Sequence, residues 1–143
     1  MARFTDNYLL ALMAQASELL SSEFHADLAR QGVPVSTWRI LATLSPDEPA
    51  TIGELSRSCL AKQPTMTRQI ERLEARGLVT REVSASDRRQ VRVRLTDEGR
   101  SLAQVLTEKA AEHEARVIEG YGAKDVAQMK RFFCGILQAK DST

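Results

Sequence analysis

Apolar side chains recur at helical spacing in the middle of the chain. Met66, Ile70 and Leu73 would share one face of a helix, which predicts an amphipathic helix with a buried stripe. Pro64 suits the first turn of this helix, where its missing N–H costs nothing. Gly77 suits its end, because glycine accepts the left-handed backbone found there.

After Gly77, apolar side chains recur at every second residue instead of at helical spacing. Residues 78–84 and 90–96 alternate between apolar and polar side chains, which predicts two half-buried strands with arginine on one face. Asp87, Arg88 and Arg89 lie in the loop between them, at a projecting tip. A carboxylate beside guanidinium groups can fix their rotamers and aim one arginine outward.

A further apolar helix starts at Thr51, and a tight turn separates it from the amphipathic helix that follows. A helix-turn-helix followed by a β-hairpin is a winged helix, in which one part enters a major groove and the other reaches an adjacent minor groove. We therefore predict a mainly α fold with a small β-hairpin wing, and place the DNA-binding part at residues 35–99.

Helices are also expected before the winged helix. Thr5 or Asp6 can cap a long first helix within residues 1–32, and Ser36 can cap the next one. The apolar stripe of the first helix is broader than one small winged helix can cover. We therefore expect its unpaired part to pack on a second subunit.

Two more helices are predicted in residues 100–143. Thr96 caps the first of them, and Asp97 and Glu98 occupy its first turn, where acids suit the positive end of the helix dipole. The whole chain of 143 residues then makes a single domain, with residues 1–32 and 100–143 as dimerisation helices. The apolar positions expected to face inward in the last helix are Val126, Met129, Phe132, Phe133, Ile136 and Leu137.

Charge is unevenly distributed along the chain. The formal net charge is only +1, but residues 57–100 carry eleven Lys and Arg against six Asp and Glu, a net charge of +5. The remainder carries nine basic and thirteen acidic residues, a net charge of −4. A basic middle between acidic flanks is typical of a DNA-facing module on a scaffold that does not touch DNA. A solvated charged surface is the alternative.

The two cysteines, Cys59 and Cys134, are far apart and form no CxxC motif, so they indicate no disulfide framework. Both are interpreted as small buried hydrophobic residues. No signal peptide and no membrane-spanning run is evident, so a soluble, cytoplasmic protein without membrane contact is expected.

Two runs resemble the MarR family of transcriptional regulators. DRRQVRVRLT at residues 87–96 matches the family's DxRxxxxxLT wing signature, and Glu98 and Gly99 continue it. MTRQIERLEARGLVTR at residues 66–81 resembles the family's recognition helix and first wing strand. The resemblance implies an obligate homodimer that binds double-stranded DNA at a pseudo-palindromic operator.

Glutamine suits adenine, arginine suits guanine, and threonine and proline suit the thymine methyl group. The resemblance implies that Arg89 enters the minor groove. Arg88 is then expected to be a phosphate or structural contact, and Asp87 to position the tip. The residues predicted to bind DNA are Gln63, Pro64, Thr65, Thr67, Arg68, Arg72, Arg88 and Arg89.

The resemblance also implies a small aromatic effector, often phenolic or carboxylic, between the dimer arms and the winged helix. The residues that could line this space are Phe24, His25, Trp38, Arg39 and His113. Arg39 or a histidine could meet a carboxylate. Core packing is the alternative for Trp38.

The leading hypothesis is a homodimeric, sequence-specific repressor that a small molecule releases from DNA. The alternatives are a thiol-redox sensor on the same scaffold and a winged helix used as a protein-interaction module. The sequence contains no nucleophile–base arrangement, phosphate loop or tight metal-ligand motif, so no enzyme, cofactor or metal site is predicted.

Overall fold

The computed structural model describes residues 1–45, 48–83, 85–87 and 89–142. A 3₁₀ turn at Phe4–Asp6 opens the chain. The elements that follow are α1 (Leu9–Arg30), α2 (Val35–Leu44), β1 (Ala50–Thr51), α3 (Ile52–Ser58), α4 (Gln63–Ala75), β2 (Val79–Val83), β3 (Val91–Leu95), α5 (Asp97–Tyr121) and α6 (Ala123–Asp141). This order confirms the predicted winged helix: mainly α, with a small β-hairpin wing.

The chain divides into two compact units, Met1–Glu108 and Lys109–Thr143. The first unit holds the hydrophobic core, to which α1, α2, α3, α4, the sheet and the start of α5 all contribute. Its fully buried large side chains are Leu28, Ile40, Leu41, Leu44, Leu55, Met66, Ile70, Val79, Val93 and Leu106. The predicted inward stripe of α4 is therefore confirmed.

Two helix caps differ from the prediction. Tyr8, not Thr5 or Asp6, is the N-cap residue of α1, and it makes no side-chain capping bond. The Asp6 carboxylate instead accepts a hydrogen bond from the Arg3 backbone N–H at 2.9 Å, within the preceding 3₁₀ turn. Pro34, not Ser36, is the N-cap residue of α2. Proline fixes its own φ near −65°, and Pro34 is extended through its ψ of 148°, so α2 starts two residues earlier than predicted.

The sheet has one strand more than predicted. The wing strands β2 and β3 pair with Val79 opposite Leu95. Strand β3 is one residue shorter at both ends than predicted, and β2 begins one residue later than predicted. The predicted last residue of β2, Ser84, lies outside the described residues. The two-residue strand β1 pairs with β3 on its other side, with Ala50 opposite Val93. A strand of two residues is too short to show the alternating pattern that predicts a strand.

The second unit consists of the end of α5 and helix α6. Helix α6 has no buried residue within the single chain, so the prediction that its apolar side chains face inward is wrong there. A unit of two helix segments has too little mass around an apolar stripe to bury it. The large apolar residues exposed on α6 are Met129, Phe132, Phe133, Ile136 and Leu137.

Candidate nucleic-acid interface

Helices α3 and α4 form the helix-turn-helix. Thr51 caps α3 in a reciprocal box: its Oγ1 accepts from the Glu54 backbone N–H at 3.1 Å, and the Glu54 carboxylate accepts from the Thr51 backbone N–H at 2.9 Å. In the turn after α3, Leu60 has a φ of +56°, and its side chain is 82% exposed. Leucine rarely adopts this left-handed backbone, and the helical pattern gave no sign of it.

Helix α4 is the helix predicted to read DNA, and we name it the reading helix. Its Met66, Ile70 and Leu73 side chains are buried, which fixes the opposite face towards solvent. Of the six residues predicted to bind DNA on this helix, four are exposed and two are half-buried. Exposed are Gln63, Pro64, Arg68 and Arg72; half-buried are Thr65 and Thr67. All six predicted residues are therefore at least partly accessible on the reading helix.

The start of the reading helix leaves backbone donors open. Its N-cap residue, Lys62, makes no side-chain capping bond, and Pro64 lies in the first turn. The first N–H groups of a helix have no partner within it and carry partial positive charge. A DNA phosphate is the kind of group that satisfies them. Arg68 extends over the same turn, with its Nη2 atom 3.5 Å from Thr65 Oγ1.

The wing is formed by β2, β3 and the loop between them. Asp87 Oδ1 accepts a hydrogen bond from the backbone N–H of Arg89 at 3.0 Å, and the Asp87 carbonyl accepts one from the Gln90 N–H at 3.0 Å. Asp87 thus acts on the main chain of the tip. The Arg89 side chain is exposed. Arg88 lies outside the described residues.

A joint of Gly77, Leu78, Thr96 and Gly99 connects the reading helix, the wing and α5. The Thr96 hydroxyl donates to the Gly77 carbonyl at 2.6 Å and accepts from the Gly99 N–H at 3.0 Å, so the predicted cap of α5 is present. Gly77 has a φ of +74°. A Cβ on Gly99 would lie 1.9 Å from the Leu78 carbonyl oxygen. The backbone approach at this joint therefore requires glycine.

An ion pair that sequence analysis did not identify joins the reading helix to the wing. The Arg81 guanidinium donates two hydrogen bonds to Glu74 Oε1, from Nη2 at 2.9 Å and from Nε at 3.1 Å. The other carboxylate oxygen, Oε2, accepts from the Arg81 backbone N–H at 3.1 Å. The hydrogen bond from the Arg81 side chain holds the pKa of Glu74 below its ordinary value. The same bond raises the pKa of the Arg81 guanidinium.

Three of the predicted effector residues lie together in the first unit. The rings of Phe24 and Trp38 meet edge to face at a centroid distance of 5.2 Å, and the His25 ring is 6.4 Å from Phe24. Phe24 is buried, Trp38 and His25 are half-buried, and Arg39 is exposed on α2. His113 belongs to the second unit.

The two cysteines differ. Cys59 is buried as predicted, with its Sγ 3.8 Å from Thr43 Oγ1. Burial raises the pKa of the Cys59 thiol, although the Thr43 hydrogen bond and the Arg39 charge act in the opposite direction. Cys134 is exposed in the chain, so its interpretation as a buried residue is wrong. It lies on α6, where no residue is buried.

Similarity to known proteins decides the family. The crystal structure of a MarR family transcriptional regulator from Silicibacter pomeroyi shares 39% sequence identity with this chain, and the match covers 96% of this chain and 98% of the other, with a TM-score of 0.86. The chain belongs to the MarR family. A model of the MarR family matches residues 31–90, from the end of α1 through the wing tip.

Two further proteins resemble the chain over most of its length. The transcriptional regulator FarR of Neisseria gonorrhoeae is 26% identical over 130 residues, which are 91% of this chain and 89% of FarR. NadR, in complex with 4-hydroxyphenylacetate, has a TM-score of 0.84 at 24% identity, covering 95% of this chain and 96% of NadR. At that identity, the likeness to NadR shows the fold alone.

MarR family membership gives the protein its class: it is a DNA-binding transcriptional regulator and not an enzyme. In the part of the chain that the structure describes, no helix is both long and apolar enough to cross a membrane. Within the same part, His, Cys, Asp and Glu side chains form no group of three or more that could hold a metal ion.

Proposed function

We propose that this MarR protein is a homodimeric repressor that reads its operator with α4 in the major groove and the wing in the neighbouring minor groove. The exposed polar face of α4, backed by a fully buried stripe, is the observation that carries the proposal. The residues assigned to the major groove and its phosphates are Gln63, Pro64, Thr65, Thr67, Arg68 and Arg72.

Arg68 is the proposed guanine-reading residue. It is exposed in the second turn of the reading helix, where side chains of a helix-turn-helix reach base edges. A bidentate arginine–guanine contact discriminates against other bases by about 1–3 kcal/mol. Arg68→Ala should therefore lower affinity and change sequence preference in a selection from random duplexes. Equal weakening on all sequences would instead make Arg68 a phosphate contact.

The wing tip supplies the proposed minor-groove contact. Arg89 is exposed, and the Asp87 carboxylate fixes its backbone. Narrow, A·T-rich minor grooves concentrate negative potential and attract arginine. We assign Arg89 to that groove, Asp87 to positioning the tip, and Arg88 to a phosphate or structural contact.

The dimer is proposed from the apolar surface that the single chain leaves uncovered. Leu9, Leu12 and Leu19 of α1 are exposed, as are the α6 residues named above. Exposed apolar surface on this scale marks an interaction site. A twofold dimer would present its two reading helices to half-sites about 10 bp apart on a pseudo-palindromic operator. Light scattering at micromolar concentration should give twice the chain mass, and a folded monomer would contradict the dimer.

The proposed effector is a small aromatic acid or phenol. The complex of NadR with 4-hydroxyphenylacetate supports this class of ligand, because NadR shares the fold. Phe24, His25 and Trp38 form the aromatic cluster, and Arg39 would meet a carboxylate.

Titration of the protein–operator complex with 4-hydroxyphenylacetate and related aromatic acids tests the effector. Release of DNA by the acids, with a weaker response from Arg39→Gln, would support the assignment. The matched control is 2-(4-hydroxyphenyl)ethanol, which keeps the phenol but has an alcohol in place of the carboxylate, and it should release less DNA. An Arg39→Gln protein with an unchanged response would remove Arg39 from the ligand site.

A further inference from the structure

Strand β2 has little to hold it beside the reading helix. It lies at the edge of the sheet, because the strand order is β1–β3–β2. Only its first residue, Val79, is buried, and the residues from Thr80 to Val83 are exposed. A hairpin without apolar packing is only marginally ordered in water. The outer part of the wing therefore depends on polar contacts for its position.

The pair of Glu74 and Arg81, which we name the clamp, provides such contacts. Arg81 is the middle residue of β2, and Glu74 lies in the last turn of the reading helix. The Glu74 carboxylate accepts two hydrogen bonds from the Arg81 guanidinium and a third from the Arg81 backbone N–H, which is a donor on the open edge of the sheet. Glu71, one turn earlier, adds a longer contact of 3.8 Å to Arg81.

Stability alone does not account for this geometry. The side chains of Glu74 and Arg81 are 36% and 38% exposed, and exposed ion pairs contribute little to folding. Two guanidinium N–H groups on one carboxylate oxygen, with the backbone N–H on the other oxygen, instead fix orientation. Here it fixes the direction of a strand relative to the helix that reads DNA, because both the backbone and the side chain of Arg81 are held.

We infer that Glu74 and Arg81 are positioning residues for DNA recognition, holding the wing at the spacing from the reading helix that lets both enter adjacent grooves at once. This inference rests on the proposed two-groove binding. A wing already in place avoids the ordering cost that a loose wing would meet on binding. Loss of the clamp should therefore weaken operator binding without unfolding the protein.

The decisive variants are Arg81→Ala and Glu74→Gln, measured by fluorescence anisotropy on a duplex selected with the wild-type protein. Each should weaken binding about tenfold, because the ordering of wing side chains is then left to the binding step. The result for Glu74→Gln is the more telling one. Removing a negative charge near DNA should by itself strengthen binding, so weakening would report positioning.

Glu82→Gln is the matched control. It removes the same charge from the neighbouring residue of β2, but Glu82 pairs with Arg94 within the wing, at 3.6 Å, and not with the reading helix. Its affinity should equal or exceed that of the wild type. The exchanged double variant Glu74→Arg/Arg81→Glu restores the ion pair but offers no acceptor to the backbone N–H of residue 81, so it should recover only part of the affinity. All these variants should melt within about 3 °C of the wild type, since exposed pairs contribute little.

Combination with Arg89→Ala separates the clamp from the contacts it serves. If the clamp positions the wing tip, Arg81→Ala should cost much less in the Arg89→Ala background than in the wild type. Its effect should add fully to that of Arg68→Ala on the reading helix.

Weakening by Arg81→Ala alone, with Glu74→Gln binding as well as the wild type, would make Arg81 a phosphate contact and overturn the inference. Unchanged affinity in both variants would also overturn it. If Arg89→Ala by itself had no effect, the proposed role of the wing would have failed first. That outcome is distinguishable, because Arg89→Ala is measured alone.

Discussion

Thr96→Val should destabilise the protein at the joint between the reading helix, the wing and α5. Valine keeps the size and β-branching of threonine but removes the hydroxyl that bonds both the Gly77 carbonyl and the Gly99 N–H. Loss of an N-cap costs about 1 kcal/mol. Loss of the second hydrogen bond costs about 1 kcal/mol more. The free energy of unfolding should therefore fall by about 2 kcal/mol.

In a chain of 143 residues, this loss corresponds to a melting temperature lower by about 6 °C. Calorimetry at one fixed protein concentration measures it, because dimerisation makes the melting temperature depend on concentration. Thr80→Val is the matched control: Thr80 is exposed on β2, where valine is equally suited to a strand. If Thr96→Val had the same melting temperature as Thr80→Val and the wild type, the assigned role of the hydroxyl would be refuted.

Gly99→Ala should lower the free energy of unfolding by at least about 2 kcal/mol, since its Cβ would overlap the Leu78 carbonyl oxygen; alanine in a helix normally stabilises, so a gain would contradict the close approach. Leu60→Gly should change it by less than about 1 kcal/mol in denaturant unfolding, because relief of the left-handed backbone offsets the entropy cost of glycine, and a larger loss would mean that the side chain packs. By NMR, the pKa of the Glu74 carboxyl should lie below its ordinary value of 4.5. The stability that this carboxylate contributes should be present above pH 4.5 and lost as pH falls through the lowered pKa; Arg81→Ala should return the pKa towards 4.5, and an unshifted titration would contradict the pairing.

Local periodicity was enough to predict the winged helix. Met66, Ile70 and Leu73 follow the helical period because one side of α4 is buried, and Gly77 ends the helix because its φ is positive. The Thr96 cap was also visible, since a cap and its acidic first turn are close in sequence. These features depend on interactions within a few residues.

Features that depend on contacts between elements were not predictable in the same way. The bond of Glu74 to Arg81 spans a turn whose geometry the sequence pattern does not specify. The exposed position of Cys134 follows from an apolar helix face that the single chain leaves open, whereas its residue type suggested burial. Residue type alone cannot tell whether a partner covers such a face.

The two-groove mechanism is tested most directly by the salt dependence of operator binding for the wild type and Arg89→Ala. Binding should weaken as salt rises, because cationic side chains displace counterions from phosphates. Arg89→Ala should lose affinity, and the slope of log K against log salt should flatten by about one unit. An Arg89→Ala protein with the affinity and the salt slope of the wild type would contradict the account, because recognition would then rest on the reading helix alone.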